Sequence, residues 1–211
     1  MHPLQTLKHD DYLTLRTGAH VIERDRHGDK VLRLADGSYL KLFRRKRLIS
    51  STAWYPYAKR FADNAQALAE RNIPCPRVIG LYRIPGASRD AVHYHPLAGG
   101  TLRELIRANA NIVDIAGLRE QLGRFVAGLH EAGIYFRSLH LGNIVLTPEG
   151  ELGLIDIADL RAGRGPLPQH RRRRNLQHLL RDESDRAWLH AGGDTAFDAA
   201  YRQQTLERAQ R

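Results

Sequence analysis

Asn143 and Asp156 lie thirteen residues apart, and the chain between them carries the apolar runs 144–146 and 152–157 separated by Pro148-Glu149-Gly150. A tight hairpin through that turn sends the chain back on itself, so two oxygen donors meet at its open end. Such a pair suits a hard cation, which takes oxygen ligands together with phosphate oxygens. Just before Asn143 the stretch 137–143 offers Ser138 and His140, and Asp159 follows three residues after Asp156. A serine hydroxyl is no base near neutrality, so any proton transfer here falls to His140 or Asp159, which the sequence alone does not place. Plainer uses stand beside these. Asn143 after Gly142 is a turn pair, Asp156 can cap a turn after a buried strand, and Asp159 can pair with one of the nearby arginines.

The elements that must position these residues are readable from periodicity. Runs 31–34 and 39–43 are β-prone and joined through Ala35-Asp36-Gly37-Ser38, a hairpin signal that puts Lys41 inside the second strand. Residues 58–71 place Ala58, Phe61, Ala65 and Leu68 at helical spacing, and the helix stops before Ile73-Pro74-Cys75-Pro76. Strands are expected over 77–83 and 91–94. Near residue 97 the character changes from strand-rich to helical. Thr101 with Glu104 makes a capping box for a helix to about 108, and 115–132 forms a longer amphipathic helix ending at Gly133. Strands then follow at 134–136, 144–146 and 152–157, with helices over 172–189 and 195–208. Trp54 and Trp188 are expected to pack.

The 211 residues carry a formal net charge of +10, with 28 Arg to five Lys. That balance fits nucleic acid, an anionic membrane face or a small phosphorylated or acidic substrate. No nucleic-acid module is recognisable, and aromatic residues at 7% form no stacking stripe, so nucleic acid is not an expected partner. A single Cys75 excludes an intramolecular disulfide, and the histidines show no zinc spacing. No stretch is apolar for the ~18–20 residues a membrane helix needs, and residues 1–10 lack the core of a signal peptide, so a cytoplasmic protein is expected.

The stretch Gly133-Ile-Tyr-Phe-Arg-Ser-Leu-His-Leu-Gly-Asn143, followed by Gly153-Leu-Ile-Asp156-Ile-Ala-Asp159, resembles the catalytic half of the protein-kinase-like superfamily. Asn64-Ala65 before Arg71-Asn-Ile-Pro, and Arg173-Arg-Asn-Leu-Gln-His-Leu-Leu in the tail, extend the resemblance to the lipopolysaccharide core kinases acting on Kdo or heptose, in particular the toluene-tolerance or InaA-type proteins. It covers about residues 20–205. It implies a two-lobed α+β fold, with a small strand-rich lobe (about 12–97), a helical lobe (about 98–209) and nucleotide between them. It also implies ATP and Mg²⁺ as cofactors. Lys41 would grip the phosphates, Asn143 and Asp156 would hold the metal, Ser138 would line the acceptor site without acting as a base, and Ser138, His140 and Asp156 are the catalytic candidates, with His140 or Asp159 to replace the missing base. Asp159, Arg161, Arg171 and Arg172 are the candidates for contact with a small-molecule or glycolipid substrate, which the basic charge would meet at the inner membrane by peripheral contact. For Lys41 and for 171–174 the plain alternatives are an exposed strand lysine and a solvated helix start.

The sequence departs from the superfamily pattern in three places. Ser138 stands where an active kinase carries the Asp that orients and deprotonates the acceptor hydroxyl. Residues 25–30 hold one glycine in place of a glycine-rich loop. The helix after Lys41 offers Asp63, Asn64 or Glu70 and no clear partner glutamate. These departures carry the rival expectation of a pseudokinase that binds nucleotide or a partner without turnover.

Overall fold

The computed structural model describes residues 2–45, 55–108, 114–193 and 195–209. Trp54 lies outside them. The chain divides into two compact units, one of Met1–Glu70 with Cys75–Leu97 and one of Arg71–Pro74 with Ala98–Arg211.

The first unit is built on a six-stranded sheet. Its strands are β1 (Leu4–Thr6), β2 (His20–Asp25), β3 (Gly28–Arg33), β4 (Tyr39–Arg44), β5 (Arg77–Ile84) and β6 (Arg89–His95), in the order β1-β5-β6-β4-β3-β2. All neighbours are antiparallel except β1 on β5. The expected hairpin joins β3 to β4, pairing Val31 with Lys41, and Asp36 Oδ1 accepts from the Ser38 amide at 2.9 Å to close the turn. Two-residue alternation divides β4 between the faces of the sheet. Leu40 and Leu42 are buried with Leu32, Ile84, Ala91 and Tyr12, the last from helix α1 (His9–Arg16). Helix α2 (Tyr57–Ala69) covers the opposite face with the buried side chains Ala58, Phe61, Ala65 and Leu68. There the Phe43 ring stacks on Tyr57 at 6.0 Å and Phe61 meets Tyr94 at 5.1 Å. Lys41 alternates with Leu40 and Leu42 and so belongs to the α2 face, its Nζ 6.0 Å from the centre of the Phe43 ring.

Helix α1 had no signal in the sequence. It is eight residues long, has no side-chain cap, and buries only Tyr12. At the turn between β2 and β3, Gly28 takes φ +108° and Asp25 accepts from the His27 amide at 2.7 Å. The neighbouring Asp29 carboxylate is held between Arg16 and Arg24, at 2.9 and 2.7 Å.

The second unit has β7 (Gly100–Thr101), helices α3 (Leu102–Arg107) and α4 (Ile115–Glu131), then β8 (Ile134–Phe136), β9 (Ile144–Leu146), β10 (Leu152–Leu154) and β11 (Leu160–Ala162). It closes with helices α5 (Gln169–Leu179), α6 (Glu183–Leu189) and α7 (Ala196–Ala209). The capping box forms, with Thr101 accepting from the Glu104 amide and the Glu104 carboxylate accepting from Thr101 N. Asp114 caps α4, accepting from Gly117 N at 2.7 Å. Helices α4 and α7 approach closely at Gly123, where a Cβ would stand 2.3 Å from the Phe197 carbonyl oxygen. Two expectations are corrected. The run 172–189 is two helices, because Asp182 accepts from the Ser184 and Asp185 amides and starts a second one. The run 152–157 stops as a strand at Leu154. Asp156 turns left-handed (φ +52°), a single 3₁₀ turn covers Ile157–Asp159, and β11 follows.

Candidate active site

Two strand registers bring the candidate residues of the second unit together. In the β9–β10 hairpin Leu154 faces Ile144, so the next pair outward is Asn143 and Ile155, and the Ile155 amide donates to the Asn143 carbonyl at 3.0 Å. Asp156 therefore leaves the same end of the hairpin that Asn143 enters. In the β8–β11 pair Leu160 faces Phe136. Continuing that register past the strand ends sets Arg137 against Asp159 and Ser138 against Ala158, so Asp159 lies diagonally across from Ser138. There the Ser138 hydroxyl donates to Asp159 Oδ2 at 2.7 Å.

The segment between these strands is pinned by its own backbone and by one amide. Leu139 N donates to the Phe136 carbonyl and Asn143 N to the His140 carbonyl. Asn143 is buried, and its Nδ2 donates to the Ser138 carbonyl at 2.9 Å and to His140 Nε2 at 3.2 Å. With both amide hydrogens directed into the loop, Oδ1 is the end left to coordinate a cation. The donor set of Asn143 Oδ1 and the solvent-exposed Asp156 carboxylate is the all-oxygen chemistry that Mg²⁺ takes, so these residues fit the metal the resemblance implies. His140 accepts at Nε2, which puts the ring proton on Nδ1, a buried atom with no hydrogen-bond partner among the described residues. Burial, reinforced by the Arg103 charge, holds His140 below the ordinary histidine range and keeps it neutral.

Residues the sequence reading did not single out hold this loop from behind. Asp185 of α6, 2% exposed, accepts from Arg103 Nε at 3.0 Å and Nη2 at 2.6 Å, and from the Leu141 amide at 3.0 Å. Asn175 of α5 brackets Phe136. Its Nδ2 donates to the Phe136 carbonyl at 2.5 Å and its Oδ1 accepts from the Phe136 amide at 3.4 Å. Oδ1 also lies 3.2 Å from Nε2 of the fully buried His130, whose Nδ1 faces the Tyr201 hydroxyl at 2.8 Å. Asn175 sits in the tail motif Arg173-Arg-Asn-Leu, so it had a signal in the sequence. Asp185 had none, since a carboxylate three residues into a helix reads as an ordinary N-terminal charge.

The substrate candidates separate. Arg172 is buried, with Nη1 2.6 Å from Glu131 Oε1 and Nε donating to the Leu167 carbonyl, so its guanidinium is engaged in packing α5 against α4. Arg161 and Arg171 are exposed. Burial, and then the charges of Arg174, Arg137 and Arg181, hold His178 below its ordinary value, with Asp159 the opposing negative charge. In the first unit, Asp63 accepts from Lys59 and from the Tyr55 hydroxyl, Glu70 accepts from Gln66, and Asn64 is buried on α2.

No protein-family model matches the chain. A structure described as a divergent kinase lacking the glycine-rich loop, which regulates membrane ultrastructure of the Toxoplasma parasitophorous vacuole, overlays on 97% of this chain and 80% of its own. The TM-score is 0.54 at 16% identity. The chain has a protein-kinase-like fold. The mixed sheet followed by the helical second unit gives the fold its α+β character, as the motifs imply. The bifunctional kinase-methyltransferase WbdD overlays at a TM-score of 0.48 and 13% identity, over 85% of this chain and 41% of that one. In sequence, the chain is 38% identical over 91 residues to a 3-deoxy-D-manno-octulosonic acid kinase of Xylella fastidiosa (strain M12), a match spanning 43% of this chain and 34% of that protein. The chain therefore matches about a third of that relative's length.

Proposed function

We propose that the protein is an ATP-dependent phosphotransferase of the lipopolysaccharide-kinase type, acting on a sugar hydroxyl of the lipopolysaccharide core or a related envelope glycolipid. The observation that carries this reading is the outward end of the β9–β10 hairpin. Asn143, with its amide hydrogens committed to the loop, and Asp156, in a left-handed turn, leave that end together. In the proposal Asn143 and Asp156 hold Mg²⁺, and Lys41 grips the nucleotide phosphates. The bound metal supplies neutralisation of the charge on the transferring phosphoryl group. Ser138 lines the acceptor site. The kinship with a 3-deoxy-D-manno-octulosonic acid kinase supports an acidic sugar as the acceptor. So do the exposed arginines Arg137, Arg161 and Arg174, carried by or adjoining elements that hold the loop. Peripheral contact with the inner membrane and a cytoplasmic site of action belong to the same proposal.

Calorimetric titration of Mg²⁺·ATP tests it. Micromolar binding weakened at least tenfold by Asp156→Ala and by Lys41→Ala is expected, and no binding at millimolar ATP would remove the catalytic reading. A pseudokinase is the second reading, and Ser138 at the position of the usual catalytic carboxylate is the observation in its favour. The hydrogen bond from that serine to a carboxylate weighs against it.

A further inference from the structure

The acceptor hydroxyl must lose a proton as it attacks phosphorus, and the loop position that supplies the carboxylate in an active kinase is a serine here. The structure brings a carboxylate to that serine from elsewhere in the chain. Asp159 ends the 3₁₀ turn after Asp156, and the β8–β11 register carries it to Ser138, whose hydroxyl donates to Oδ2 at 2.7 Å. Ser138 is itself fixed, since its carbonyl accepts from Asn143, the proposed metal ligand, at 2.9 Å. Asp159 Oδ1 is buried and has no hydrogen-bond partner among the described residues. A carboxylate oxygen in that state costs free energy that a purely structural carboxylate avoids by pairing. The other candidate, His140, has its Nε2 taken by Asn143 and its Nδ1 buried, so it offers no lone pair to an acceptor.

We propose that Ser138 and Asp159 act as a couple in which Ser138 touches the acceptor hydroxyl and Asp159 takes the proton through it, so that the carboxylate missing from the loop is replaced from the turn after Asp156. This rests on the kinase reading above. The acceptor oxygen forms a bond to the γ-phosphorus of the nucleoside triphosphate as the bond from that phosphorus to the β–γ bridging oxygen breaks, releasing the diphosphate. The acceptor proton passes to Ser138 Oγ while the serine proton passes to Asp159 Oδ2. The protonated carboxylic acid then returns its proton to solvent. Ser138 is the catalytic residue of the couple, and Asp159 acts through it.

The test measures transfer of labelled phosphate from Mg²⁺·ATP to 3-deoxy-D-manno-octulosonic acid and to lipid A carrying it, together with ATP hydrolysis, calorimetric ATP affinity and melting temperature for each variant. Asp159→Asn is expected to lower kcat by about 10²–10⁴, the range for loss of a general base, with ATP affinity and melting temperature close to wild type. Adding Ser138→Asp to the Asp159→Asn background restores a carboxylate on the loop and is expected to recover at least tenfold in kcat. A merely structural Asp159 would not respond in this way. Asp159→Asn that keeps more than a third of wild-type kcat overturns the couple. A loss that only follows falling ATP affinity or melting temperature, or a double variant that binds ATP and recovers nothing, does the same. Wild-type protein that binds Mg²⁺·ATP and neither transfers nor hydrolyses it overturns the kinase reading itself, and the couple with it.

Discussion

His130 shows how one buried side chain in this protein converts into a pH dependence. Its Nε2 donates to Asn175 Oδ1 and its Nδ1 accepts from the Tyr201 hydroxyl, so the neutral ring is satisfied on both sides with no exposure. Burial pushes its pKa down to about 4. In the unfolded chain the ring titrates near 6.5, so between pH 6.5 and 4 the unfolded state binds the extra proton, and stability falls as the pH falls through that window. The share from this one group is about 3 kcal/mol. In urea denaturation from pH 7.5 to pH 4, wild type minus His130→Gln should shrink by about that amount. A constant difference across the range would show that the ring is not held neutral. Because Asn175 joins His130 to the Phe136 backbone, acid destabilisation at this residue begins directly behind the Ser138 loop.

Helix α6 does two jobs at neighbouring positions, and they separate by magnitude. Asp182 caps the helix and also lies 3.3 Å from Arg103, but it is partly exposed, so Asp182→Ala should cost only the loss of a helix cap. Asp185 is buried and gathers two bonds from Arg103 and one from the Leu141 amide, so Asp185→Ala leaves a guanidinium and an amide unpaired and should cost about 3 kcal/mol. Chemical denaturation of both variants checks the ranking. Equal costs would mean that α6 contributes only its start and does not anchor the loop of residues 137–143. The capping box at Thr101 and the period of α4 were legible in advance because both are local. The break between α5 and α6 was missed because the apolar positions on the two sides of 180–182 stay in helical phase, while the Asp182 cap depends on a backbone turn that periodicity does not see.

Across the whole molecule the +10 charge is carried by guanidinium groups, and six exposed arginines fall between residues 161 and 181. Each basic side chain near an anionic bilayer contributes about 1 kcal/mol, screened by salt. If the envelope reading holds, the protein should cosediment with phosphatidylglycerol vesicles at about 0.05 M salt and be released at about 0.5 M, where the Debye length is much shorter. The combined change Arg171→Glu, Arg173→Glu, Arg174→Glu should weaken binding at least tenfold. Equal binding to neutral phosphatidylcholine vesicles would remove the electrostatic membrane contact.

The sequence by itself determined the local features: the β3–β4 hairpin with Lys41 inside a strand, the capped helix at Thr101, and the β9–β10 hairpin that carries Asn143 and Asp156 to one end. These follow from turn chemistry and periodicity within about twenty residues, where few conformations compete. Tertiary structure decided which side chain serves which purpose. Arg172, one of four consecutive arginines, is buried on Glu131, while Arg171 and Arg173 beside it are exposed, because burial depends on what α5 packs against. Asp159 meets Ser138 across 21 residues of chain through the register of β8 with β11, and Asp185 reaches Leu141 across 44. Pairings over such separations are selected by the closing of the core around them, and a linear pattern of residue types does not record which partner that closure brings within 3 Å.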